Sequence, residues 1–269
     1  MAVPIALTIA GADSGGGAGI AADLKTFAAL QVYGAAAITA LTAQNTRGVA
    51  GVFDVPADFV SAQIDAVFSD LAVAATKIGM LSRRETVEAV AAGLARHRAK
   101  NVVLDPVIAA GSGEALLRPD AVAALKRLLI PRALLVTPNL AEAAALLDAS
   151  LAADEAEMQK QAETLLALGC EAALIKGGHG AGPEAVDLLV DKNGVRRYTA
   201  RRIDTKNTHG TGCTLSSAIA AGLAKGLPLA DAVAAAKEFV TGAIAAADRL
   251  SVGKGRGPLH HFFAWWPKG

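Results

Sequence analysis

Short apolar runs recur along this chain, each followed by a longer stretch of helical periodicity, and that alternation restricts the fold more than any other feature. The runs over 5–10, 34–43, 75–78, 101–104, 133–136 and 172–175 are rich in Ala, Val, Ile and Leu. They read as strands buried on both faces, as in a parallel sheet. Between them the spacing predicts helices over 20–31, 56–68, 86–98, 119–129, 140–147 and 154–168, the last stopped by Gly169. Within 56–68, Phe59, Val60, Ile64 and Val67 fall on one helical face. Two β-like runs, 187–190 and 196–199, flank Asp191-Lys192-Asn193-Gly194 and predict a hairpin. Helices over 215–224 and 229–247 and an irregular tail over 253–269 complete the chain. The expected architecture is an α/β fold, a three-layer α/β/α sandwich on a mostly parallel sheet. No linker-like shift in composition interrupts residues 1–269, so a single domain is expected.

Composition narrows the function classes. Hydrophobic residues make up 53% of the 269, ample for a large core, with Ala, Leu and Val dominating and few aromatics. A net charge of +1 with no basic block argues against nucleic acid or an anionic membrane as partner. Two cysteines, Cys170 and Cys213, are too few for a disulfide framework and fit a reducing cytoplasm. The first residues carry no charged segment ahead of an apolar one, so no signal peptide is expected. Apolar runs break before about 18 residues, so no membrane span is expected either.

One stretch offers reaction chemistry. Residues 204–214 place Gly210 and Gly212 immediately before a long apolar helix. Glycines let the backbone approach a ligand closely, and the first free N–H groups of a helix, at the positive end of its dipole, form an anion site. Cys213 stands at that same end, where a thiol pKa is lowered and the group can serve as base or nucleophile. An ordinary glycine-rich turn ahead of a core helix would look the same. In parallel α/β sheets ligands bind beyond the carboxyl ends of the strands. Asp105, Asn139, Glu142 and Lys176 all fall at or just past expected strand ends. Each alone suits a cap or loop; their common location is the informative part. Lone carboxylates such as Asp105 and Glu142 suit Mg²⁺ held partly through water beside nucleotide phosphates.

Other motifs carry less. No Gly-x4-Gly-Lys-Ser/Thr sequence is present, which disfavours a P-loop. Gly17-Ala18-Gly19-Ile20-Ala21-Ala22 fits a dinucleotide fingerprint nominally, but it stands away from the first strand, and the second strand ends in Gln44 where an acidic residue would hold the ribose. Asp13-Ser14-Gly15-Gly16 resembles a serine-protease fragment without the matching His and Asp frame. The five histidines show no zinc spacing, and His260-His261 reads as a tail feature.

Several segments together fit one template: 6–11, 17–20, 22–26, 43–48, 77–80, 137–142, 176–179 and 207–214. On them the chain resembles the bacterial hydroxymethylpyrimidine/phosphomethylpyrimidine kinases of thiamine biosynthesis, within the ribokinase-like superfamily. The resemblance spans nearly the whole chain, and 207–213 is its most specific block. It implies ATP and Mg²⁺, a homodimer, and a small aminopyrimidine substrate read by Gln44. An amide offers an acceptor to an exocyclic amine and a donor to a ring nitrogen together. Gly11, Ala18, Met80 and Val107 would enclose the ring, and Asp105 and Glu142 would face the metal. Lys176 would contact phosphate, with Thr208, Thr211 and Lys237 near the nucleotide. Gly210, Gly212 and Cys213 would serve the transfer itself. Most ribokinase relatives carry Asp where this chain has Cys213, so that residue points to the pyrimidine-kinase branch. Departures are Ser14-Gly15, where the family often has Pro-Ser, and Gly111, where it often has a polar side chain. Pyridoxal kinases use the same Cys position, so pyridoxal phosphorylation is the alternative. An oxidoreductase would require dinucleotide binding, and an idle pyrimidine-binding regulator would not need Asp105, Glu142, Lys176 and Cys213 together.

Overall fold

A computed structural model describes residues 3–109, 116–178 and 182–267. The loop expected over 111–113, and His179 and Gly180 of the segment after Lys176, lie outside the described residues. One sheet of nine strands runs through the molecule in the order β3-β2-β1-β4-β5-β6-β7-β8-β9. The strands are β1 (Ile5–Asp13), β2 (Tyr33–Asn45), β3 (Gly48–Asp54), β4 (Ala75–Ile78), β5 (Val102–Leu104), β6 (Leu135–Val136), β7 (Ala172–Lys176), β8 (Glu184–Asp191) and β9 (Gly194–Arg201). The six strands β2, β1, β4, β5, β6 and β7 pair in parallel, and the antiparallel strands β3, β8 and β9 lie at the margins.

Among the described residues eight α-helices cover the sheet: α1 (Gly19–Ala29), α2 (Ala57–Asp70), α3 (Arg84–Arg96), α4 (Pro119–Leu128), α5 (Leu140–Leu147), α6 (Glu155–Ala167), α7 (Thr211–Ala224) and α8 (Leu229–Ala245). Alternation along each strand divides the core in two. Leu7, Ile9, Leu104, Val136 and Ile175 face the layer of α2 to α6. Ala6, Val103, Leu135 and Leu174 face α1, α7 and α8. Successive side chains on a strand point to opposite faces, so short apolar runs fill both layers at once.

Expected and observed elements agree in type and differ at the ends. β1 runs on to Asp13, so the loop expected from Gly11 begins at Ser14. β3 was not foreseen. Its Gly48 and Gly51 and its exposed Val52 and Phe53 lack the signature of a buried strand, yet it pairs antiparallel with β2. β2 lies on one side of β1 and β4 on the other, which makes β1 the point where strand order reverses. A crevice for ligands opens beyond the carboxyl ends at such a switch point.

The centre and the edge of the sheet give a stability contrast. Leu104 is fully buried, and Leu104→Ala is expected to lower the unfolding free energy in urea by about 2–5 kcal/mol. Val52→Ala on exposed β3 is expected to change it by less than about 0.5 kcal/mol. Similar losses from both would contradict the layering.

Candidate active site

Backbone pairing aligns the strand ends that carry the polar residues. Gly79 N–H donates to Ile9 O, Asp105 N–H to Ile78 O, Thr137 N–H to Leu104 O and Lys176 N–H to Pro138 O, at 2.8–2.9 Å. The side chains that follow β4, β5, β6 and β7 therefore emerge in one row. Lys176 Nζ lies 2.8 Å from Asp105 Oδ1 and 3.8 Å from Glu142 Oε2. Asp105, 1% exposed, also accepts from the hydroxyls of Thr137 (3.1 Å) and Ser216 (3.2 Å). Burial works against its charge, but Lys176 and then Lys77 hold its carboxyl below the ordinary range.

Glu142 is placed by a capping box at the start of α5. Its N–H donates to Asn139 Oδ1 at 3.0 Å, and its carboxylate receives Asn139 N–H at 2.7 Å. Such a cap contributes about 1 kcal/mol and fixes the direction of the side chain. Burial pushes the Glu142 carboxyl up to about 7; Lys176 pulls it down and the charge of Asp105 pushes it further up. Two carboxylates thus share one ammonium, an excess of negative charge that a divalent cation would offset. Among the described residues no three or more His, Cys, Asp or Glu gather into a cage. The pair therefore fits Mg²⁺ that takes its remaining ligands from water and phosphate.

The N-terminus of α7 meets this cluster. Gly210 caps the helix at φ +84°, and a side chain there would overlap the Gly17 carbonyl. A Cβ on Gly212 would come within 3.2 Å of Lys176 Nζ and 3.6 Å of Asp105 Oδ2, so the helix end lies directly against the pair. The N–H groups of Gly212 and Cys213 find no acceptor among the described residues. Thr211 Oγ1 donates back to Thr208 O at 2.7 Å, and Thr208 Oγ1 accepts from Arg256 Nε at 2.7 Å. Both threonine hydroxyls thus face the loop.

The thiol departs from expectation. Burial pushes Cys213 up to about 11, with Asp23 and Asp105 adding to the rise and Lys77 and the Gly19 N–H opposing it. The amides at the helix end favour a lowered value, but the loss of water at this depth outweighs them.

On the other side of the switch point, a side chain at Gly11 would lie 3.2 Å from Met80 Sδ, so these two residues lie side by side. Ala18 N–H donates to Asp13 Oδ2 at 3.0 Å, and His209 Nε2 lies 2.8 Å from the same oxygen. Gln44 Nε2 is 3.4 Å from His209 Nε2. Gln44 and the α7 loop are therefore neighbours. Val107 follows Asp105, its N–H donating to Asp105 O at 2.9 Å. Lys237 is linked through Asp187 to Gly177, the residue after Lys176. Its Nζ donates to Asp187 Oδ2 at 2.7 Å, while Asp187 Oδ1 receives the N–H of Gly177.

Asp13, His209, Asp23 and Lys77 stand in segments that the sequence singles out, but the sequence alone assigns them no role. Asp13 gathers the N–H groups of Gly15, Gly17 and Ala18 together with His209. Burial opposes its charge, but these partners leave its carboxyl below the ordinary value. Asp23 and Lys77 form an ion pair with side chains fully buried. Its available signal was a lone Lys inside a strand and a lone Asp inside a helix, charges that need each other when buried.

Comparison with known proteins gives the chain a family context. The family model for phosphomethylpyrimidine kinase matches residues 13–260. The chain is 64% identical over 262 residues to the hydroxymethylpyrimidine/phosphomethylpyrimidine kinase of Rhizobium meliloti, covering 97% of this chain and 98% of that one. It is similar to the solved phosphomethylpyrimidine kinase of Clostridium difficile, with TM-score 0.80 and 44% identity over 89% of this chain and 99% of that chain. It is also similar to the Staphylococcus aureus pyridoxal kinase solved with AMP-PCP and pyridoxal, with TM-score 0.90 and 32% identity over 98% of this chain and 96% of that chain.

Glu142 supplies a pH test. Its folded value of about 7 exceeds the ordinary 4.5, so as pH rises the unfolded chain ionises first and stability falls across that window. Glu142→Gln lacks this titration and is expected to gain on the parent protein by up to about 3 kcal/mol between pH 5 and 8 in urea unfolding. Parallel stability curves for the two proteins would contradict the assignment.

Proposed function

Because this chain belongs to the phosphomethylpyrimidine kinase family, we infer that it uses ATP to phosphorylate 4-amino-5-hydroxymethyl-2-methylpyrimidine to its monophosphate and then to its diphosphate, in thiamine biosynthesis. The observation that carries this reading is the free N-terminus of α7, set against the Lys176–Asp105 pair and joined through His209 to Gln44.

In this reading Gln44 holds the aminopyrimidine edge, and Gly11, Ala18, Met80 and Val107 enclose the ring. The amides of Gly212 and Cys213, freed by the turn at Gly210, receive the phosphoryl oxygens, and Lys176 neutralises their charge. Asp105 and Glu142 would hold Mg²⁺, which when bound draws charge from the β- and γ-phosphate oxygens. Thr208, Thr211 and Lys237 would serve the nucleotide by exchanging their present partners for it.

The two transfers differ in their proton. In the first, the hydroxymethyl oxygen bonds to the γ-phosphorus, the bond from that phosphorus to ADP breaks, and the hydroxyl proton passes to the Cys213 thiolate. In the second, an already ionised oxygen of the monophosphate attacks, and no base is needed. A thiol at about 11 is protonated at neutral pH, so the first transfer carries the cost of ionising Cys213. Pyridoxal phosphorylation is the second reading. It is favoured by likeness to the S. aureus pyridoxal kinase, though at 32% identity against 64% for the R. meliloti enzyme.

The assembly is part of the same proposal: a single kinase domain, homodimeric and cytoplasmic. The β2–β3 hairpin leaves Leu41, Val52 and Phe53 exposed, with Phe59 of α2 also exposed, an apolar set that a second copy would cover. No helix among the described residues is long and apolar enough to cross a membrane.

ATP consumption measured separately with the pyrimidine alcohol, its monophosphate and pyridoxal tests the reaction. Cys213→Ala is expected to lose the first transfer by a hundredfold or more, on the order of a lost general base, and to keep most of the second. In the parent protein the first rate should climb with alkaline pH while the second stays flat. Equal loss of both steps would refute the base role. For the assembly, Phe53→Lys should shift the protein from dimer towards monomer in light scattering at micromolar concentration; a monomeric parent protein would contradict the interface.

A further inference from the structure

The fold buries a second pair of charges that the steps above do not use. Lys77, in β4, places Nζ 3.0 and 2.9 Å from the two oxygens of Asp23, in α1, and both side chains are fully buried. Asp23 also accepts from Thr8 Oγ1 and Ser217 Oγ, each at 2.7 Å. A buried ion pair is seldom more stabilising than apolar side chains of similar volume, so packing alone does not account for it.

Its position does. Ser217 lies four residues after Cys213 in α7, so the two share one face of the helix, one turn apart. The face that docks on Asp23 is therefore the face that bears the thiol. A Cβ on Gly79 would come 2.8 Å from Lys77 Nζ, so the ammonium leans towards the carboxyl end of β4, where the site opens. Four charges bear on Cys213: Lys77 from β4, Asp23 from α1, Asp105 after β5 and Lys176 from β7.

We propose that Lys77 is a positioning residue for the first transfer: its ammonium, clamped by the Asp23 carboxylate that Ser217 meets one helical turn from Cys213, is the fixed positive charge that stabilises the thiolate accepting the hydroxymethyl proton. This rests on the reading of Cys213 as the proton acceptor. After burial, Lys77 has the largest influence on the thiol, and it acts in the opposite direction. Asp23 holds that charge in place, since an unpaired lysine at full burial would tend to lose its proton.

The test reads the thiol directly. With Cys170→Ala as background, Cys213 is the only thiol, and the pH dependence of its alkylation by iodoacetamide gives its ionisation midpoint. Lys77→Met is expected to raise that midpoint by about one unit, a tenfold slower alkylation at a given pH below it. Lys77→Met/Asp23→Leu, which leaves no unpaired charge, covers the case in which the single variant fails to fold and should shift in the same direction by less. Lys77→Arg should bring the midpoint back towards the parent value. In kinetics the alkaline rise of the first transfer should move with the midpoint while the second transfer keeps its profile. An unchanged midpoint in folded Lys77→Met, or in the double variant, overturns the coupling whatever Cys213→Ala does. A Cys213→Ala protein that retains its first transfer overturns the base reading, and with it the catalytic part of the Lys77 role, even if the midpoint has shifted.

Discussion

Two buried carboxylates determine where α7 begins. Ser216 Oγ donates to Asp105 and Ser217 Oγ to Asp23, so adjacent residues of one helix are tied to opposite sides of the site. Each carboxylate is neutralised by a lysine from a different strand, Lys176 of β7 and Lys77 of β4. Charges this deep in the fold lose their hydration, and removing one partner from such a pair typically costs about 3–5 kcal/mol. The register between the helix end and the strand ends is therefore strongly specified, and with it the place where the Gly212 and Cys213 amides meet an ammonium.

Substrate side and phosphate side are joined by polar contacts rather than by core packing. Asp13 gathers the backbone of the loop after β1 and the ring of His209 from the loop before α7. The tail closes the arrangement. Gly257 N–H donates to Asn207 Oδ1, Arg256 N–H to Thr46 O, and His209 N–H to Gly257 O. His261, pushed down to about 4 mainly by burial, sits as a neutral ring 3.0 Å from Thr214 Oγ1 in the first turn of α7. An element that reads as irregular thus braces the turn at Gly210 from behind.

What the sequence made legible follows from local rules. Buried parallel strands and amphipathic helices leave periodic patterns, and polar residues at strand ends leave a positional one, so Asp105, Glu142 and Lys176 were legible as neighbours. β3 was not, because a glycine-rich edge strand with exposed apolar residues lacks that pattern. The thiol was misjudged because dipole and burial act oppositely on it, and burial cannot be read from spacing. Asp13 and His209 are 196 residues apart, and no local rule pairs residues at that separation. Lys77 and Asp23 broke two otherwise apolar patterns, which is a signal once both breaks are taken together.

Catalysis in this site depends on where the phosphoryl group sits in flight. A crystal structure with ADP, aluminium fluoride and the pyrimidine alcohol tests this most directly. It should place the fluoride ligands within hydrogen-bond distance of the Gly212 and Cys213 amides, with Lys176 Nζ on a third ligand and Gln44 against the ring. A fluoride group bound away from those amides, with the α7 end facing only water, would contradict it.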